Sequence, residues 1–198
     1  MKLAGHAPAE VDAVLLTHMH LDHIGGAFDP NGGALFPKAD LFVAKQEVDY
    51  WTNAEEEARA PEGLIRYSFQ MARRALSAYE GRVRHVELDA EVAPGIRPIP
   101  LFGHTPGHVG YSIDSEGEKF LIWGDLINSL VQVQRPDVTF FSDVAAREAT
   151  STREETFRMV AKERALVCGM HLPFPGVGFL ELARGSYRFV PVMWQERL

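Results

Sequence analysis

The chain has 198 residues, of which 46% are hydrophobic and 24% charged, enough for one domain, residues 1–198, with a sizeable core. The formal charge of -7, with no run of Lys or Arg, argues against nucleic acid as a partner. The single cysteine rules out an internal disulfide, and no apolar stretch approaches the roughly 20 residues a membrane span needs.

The opening "MKLAGHAPAEVD" lacks the apolar centre of a signal peptide. The expected location is therefore cytoplasmic, or secreted or periplasmic if a segment upstream of Met1 has been lost. "VDAVLLT", residues 11–17, is rich in branched apolar residues and too short for a good helix, so it reads as a buried strand. Directly behind it, "HMHLDH" places His18, His20, Asp22 and His23 where an extended chain turns into a short helix, followed by Gly25 and Gly26.

Residues 39–44 read as a second strand, followed by a polar helix from Lys45 to about Ala58. Leu64, Ile65, Phe69, Ala72, Leu76 and Tyr79 recur at helical spacing, with Gly81 as the stop. Strands follow at 83–88 and 96–102, and two apolar runs around "DSEGE" predict a hairpin turning at Gly117. A helix over 143–164 and strands at 165–169, 177–183 and 187–192 complete an α/β pattern of sheets covered by helices. Cys168 lies in the apolar run "ALVCGM" and reads as a small buried residue.

Three further segments each place a nitrogen or oxygen donor just past an apolar run. "IPLFGHTPGH" carries His104 and His108, "KFLIWGD" delivers Asp125, and "ALVCGMH" delivers His171. The candidates His18, His20, Asp22, His23, His108, Asp125 and His171 are too many for one tetrahedral zinc, so two metal ions are the economical reading.

In this order, "HMHLDH", "GHTPGH", "WGD" and a last histidine resemble the metallo-β-lactamase superfamily, over nearly the whole chain from Val11 onward. The resemblance implies an αββα sandwich, here short of part of its N-terminal sheet because one strand precedes the first motif. It also implies two divalent ions, zinc or else cobalt, manganese or iron. His18, His20 and His108 would hold one, and Asp22, His23 and His171 the other, with Asp125 bridging. His104 would stand behind the ligands, while His6 and His85 belong to no motif.

The expected catalyst is a metal-bridging hydroxide, with Asp22 receiving a proton and Asp125 fixing the ions. Within the superfamily, "IWGDLI", "CGMHLPFPGVGFL" and "SYRFVPVMW" are most similar to methyl parathion hydrolase and related phosphotriesterases. The substrate is then a small-molecule ester, most of all a phosphotriester, lying against Trp51, Phe69, Leu126 and Asn128. Trp51 and Phe69 read equally well as core.

An acyl-homoserine lactonase uses the same shell but usually has tyrosine three residues after the bridging aspartate, where this chain has Asn128. A non-enzymatic metal-binding module is the third reading. Apolar surface left open by a short first sheet predicts a homo-oligomer, a dimer in the simplest case.

Overall fold

The computed structural model describes residue 3 and residues 5–194, which fall into two compact units divided after Val86. Among the described residues, no helix is long and apolar enough to cross a membrane.

The first unit is built on a parallel sheet of β1 (Ala13–Leu15), β2 (Asp40–Val43) and β3 (Val83–His85), in that order. A four-residue helix, α1 (Leu21–Ile24), follows the first histidines. The helix expected over residues 45–58 is two, α2 (Lys45–Thr52) and α3 (Ala54–Arg59). Asn53 makes the break: its backbone is extended and its side chain accepts from the N–H groups of Glu55 and Glu56, which caps α3 and ends α2.

α4 (Leu64–Ala78) buries Phe69 and Ala72 as its helical spacing predicts, with Met71 and Ala75 beside them, while Leu64 at its first turn is exposed. These side chains pack with Leu41 and Val43 of β2, and with Trp51, Met19 and Ile24. Tyr79 closes the unit by donating its buried hydroxyl to the carbonyl of Ala27 at 2.8 Å.

The second unit holds six strands in the order β4 (Ile96–Pro100), β5 (Val109–Ser115), β6 (Glu118–Ile122), β7 (Leu166–Cys168), β8 (Val177–Ala183), β9 (Ser186–Pro191). The predicted β5–β6 hairpin turns on Glu116 (φ 55°) and Gly117 (φ 82°), two consecutive left-handed residues whose twist suits adjacent antiparallel strands.

Only β6 and β7 pair in parallel within this sheet, and such a pair needs a crossover. The crossover contains α5 (Leu130–Gln134), which the sequence pattern did not predict, and α6 (Ala146–Glu163). α6 buries Ala149, Arg153, Thr156, Phe157 and Val160 along one stripe. Four of these suit a core helix, and Arg153 does not.

Candidate metal centre

In the first unit the strand β1 ends at Leu15, and the chain passes His18 and reaches His20, whose backbone is extended, before α1 begins. His18 is fully buried and His20 nearly so. Their rings stand edge to face with centroids 4.9 Å apart, and the His23 ring lies 4.1 Å from that of His18. Three imidazoles packed this closely gather their nitrogen donors in one place beyond the end of β1. Neutral imidazole is the form that ligates a metal.

The loop is held from behind. Thr17 Oγ1 shares a hydrogen bond with His18 Nδ1 at 3.1 Å. Glu47, fully buried on α2, accepts from the Met19 N–H at 2.9 Å and from Trp51 Nε1 at 2.7 Å. Met19 is the residue separating the two buried histidines, so Glu47 sets their backbone. Asp22 is exposed, and its Oδ2 lies 3.5 Å from His23 Nε2.

In the second unit Asp125 is the centre. It follows β6, and its Oδ2 lies 3.0 Å from His171 Nε2 and 3.5 Å from His104 Nε2. Asn128 donates its side-chain amide to the same oxygen at 2.9 Å. His171, past the end of β7, has about a third of its side chain exposed at 35%, whereas His104 is buried.

The two histidines of "GHTPGH" are held by different partners. His108 spends both ring nitrogens on backbone: Nδ1 donates to the Leu101 carbonyl at 2.8 Å, and Nε2 accepts from the Asp125 N–H at 3.1 Å. Its ring ties the end of β4 to the Asp125 turn. His104 instead pairs Nδ1 with Asp143 Oδ1 at 2.9 Å, which in the neutral ring puts the lone pair on Nε2, the atom facing Asp125. The Nε2 of His104 thus faces the Asp125 carboxylate, and that of His108 faces the Asp125 N–H.

Burial alone would raise the pKa of Asp143. The bond from His104, the Phe140 N–H and the positive charge of Arg153 outweigh it and hold the carboxyl below its ordinary range.

The expected substrate wall is not where the sequence reading put it. Trp51 and Phe69 have no exposed surface and pack on each other, ring to ring at 4.6 Å, inside the core of the first unit. Trp51 backs His20 instead, with ring centroids 5.1 Å apart. Leu126 is likewise core, because the turn after Asp125 carries it inward among Leu101, Trp123 and Phe157. Asn128 is half-buried and uses its amide on Asp125.

Three supporting residues escaped the sequence reading: Glu47, Asp143 and Arg153. Glu47 and Arg153 carry a legible signal, a charged residue on the apolar stripe of a helix. Asp143 carries none, since it comes close to His104 only through a loop 39 residues away in sequence.

Comparison with known proteins places these motifs. A family model described as the metallo-beta-lactamase superfamily matches residues 1–171. Among curated proteins, an N-acyl homoserine lactonase of Bacillus cereus is 24% identical over 170 residues, covering 84% of this chain and 58% of the lactonase. A second N-acyl homoserine lactonase, from a Bacillus species, is 28% identical over 119 residues, 59% of this chain and 38% of that protein. The chain thus spans well under two thirds of these relatives.

Among solved structures, the hydrolase AbOPH is 31% identical with a TM-score of 0.88, over 98% of this chain and 69% of AbOPH. AidC, a dizinc quorum-quenching lactonase solved with the product N-hexanoyl-L-homoserine, is 27% identical with a TM-score of 0.90 over the same shares. The α/β fold is the one these structures share.

Proposed function

The chain belongs to the metallo-beta-lactamase superfamily, and we propose that it is a two-metal hydrolase of ester bonds. The observation that carries the reading is the Asp125 carboxylate with the His104 and His171 nitrogens at 3.5 and 3.0 Å, the first ring braced by a buried carboxylate. A carboxylate gathering two imidazoles, one of them oriented from behind by Asp143, is a donor set suited to zinc. The crowded imidazoles of His18, His20 and His23 are chemically suited in the same way.

The proposed ligands are His18, His20, Asp22 and His23 from the first unit and His104, Asp125 and His171 from the second, with zinc as the metal. Bound divalent ions supply Lewis-acid polarisation of the ester oxygen and ready deprotonation of water near neutral pH. The chain's own work is to hold and to move protons. Asp125 sets the spacing of the imidazoles around it, Asn128 steadies its Oδ2, and the exposed carboxylate of Asp22 is the group placed to accept a proton in turnover.

Two ester classes compete. The lactonases AidC and that of B. cereus support acyl-homoserine lactones. The closing motifs after His171, and Asn128 in place of a tyrosine phenol, support phosphotriesters. Assaying the full chain with zinc on N-hexanoyl-homoserine lactone and on a paraoxon-type triester decides between them, and Asp125→Asn should abolish whichever activity is present. Metal uptake without turnover on either ester would instead mark a non-enzymatic metal-binding module.

The exposed Phe141, Phe174, Leu182 and Trp194 support self-association, most simply as a dimer. Sedimentation of a concentration-independent monomer would overturn that reading.

A further inference from the structure

Arg153 is the one charged side chain on the buried stripe of α6, and no part of the proposed chemistry uses it. It is fully buried. Its Nε donates to the Leu126 carbonyl at 2.7 Å, one residue beyond Asp125. Its Nη1 donates to the carbonyls of Pro136 at 2.7 Å and Val138 at 3.1 Å, and Nη2 lies 3.6 Å from Asp143 Oδ2.

The Val138 carbonyl also accepts from Gln132 Nε2, and Gln132 Oε1 accepts from the N–H of Asn128, whose side chain holds Asp125. The guanidinium therefore meets the supports of two of the three proposed ligands of the second unit, Asp125 and His104. On one side is the turn that starts at Asp125, and on the other is Asp143, which orients His104.

We propose that Arg153 is a positioning residue that fixes Asp125 and His104 relative to one another for metal binding. The inference rests on the two-metal reading above. Burying a guanidinium is costly unless its donors are matched, and a helix of this kind would be filled at lower cost by leucine or methionine. The rigid fork explains the choice, since it addresses three backbone carbonyls and a carboxylate at once, whereas a lysine ammonium is a single point.

The test is zinc affinity of the purified full chain by competition with a chromophoric chelator, for wild type, Arg153→Lys, Arg153→Gln and Thr156→Ala. Thr156 is buried on the same stripe, and its hydroxyl bonds to the Thr152 carbonyl within the helix, so it reports a purely structural loss.

The expected result is zinc affinity about 10-fold weaker for Arg153→Lys and up to about 100-fold weaker for Arg153→Gln, the range for lost outer partners of metal ligands. Thr156→Ala should melt earlier with wild-type affinity. A folded Arg153→Lys protein with wild-type zinc affinity overturns the proposal, as does a pair of Arg153 variants that lose only stability, like Thr156→Ala. If the wild-type chain itself takes up no zinc, the two-metal reading falls and this inference with it.

Discussion

His104 Nδ1 lies 2.9 Å from Oδ1 of Asp143, a carboxylate whose side chain has no solvent-exposed surface. Such a bond fixes both the tautomer and the plane of an imidazole. Two histidines four residues apart thereby acquire different tasks, one ring aimed by a carboxylate and the other spent on backbone.

His104→Ala should cost the chain metal, lowering the bound zinc by about one ion or weakening it at least about 10-fold. His108→Ala removes two buried hydrogen bonds and should instead cost about 2–4 kcal/mol of stability, at about 1–2 per bond, while metal uptake persists in the folded protein. Metal analysis beside thermal melting of the two variants separates these outcomes, and a reversed pattern would return His108 to the ligand set.

Gly103 precedes His104 with φ 120°, and a Cβ there would run into the backbone of Ala149 at the start of α6. Neither the dihedral nor the contact tolerates a side chain, so Gly103→Ala should destabilise by at least about 2 kcal/mol. Equilibrium denaturation measures this. A variant as stable as wild type would mean that the loop does not make this close approach.

Trp51→Phe keeps a tilted ring against Phe69 but removes one donor from the buried Glu47 carboxylate. About 1–3 kcal/mol of stability should be lost, with KM for any ester substrate unchanged. A KM shift without a stability loss would restore Trp51 to the substrate wall.

Burial pushes the Cys168 thiol above its ordinary pKa. A raised pKa lowers the thiolate fraction at neutral pH, and the thiolate is the reactive species. Alkylation by iodoacetamide at pH 7.0 should thus be slower than for a free cysteine and should quicken as pH rises. A rate at or above that of the free amino acid would contradict this.

The long helices were legible from their period, and the strands and the hairpin from short branched apolar runs bounded by turn residues. The donor cluster was legible because His18, His20, Asp22 and His23 fall within six consecutive positions. Distant hydrogen bonds hid the rest. The choice of His104 over His108 depends on Asp143, Leu101 and the Asp125 amide, and no local spacing encodes them. Trp51 read as substrate wall and as core alike, because the buried Glu47 to which it bonds is fixed by a tertiary contact with the Met19 backbone. The break at Asn53 needed an asparagine to be read as a cap inside a run of helix formers.

The central claim is a two-metal centre built on these donors, and metal analysis of the purified full chain after zinc loading and desalting tests it most directly. About two zinc ions per chain, falling to one or none in Asp125→Asn, is the predicted result. No retained zinc, or wild-type stoichiometry in Asp125→Asn, would contradict it.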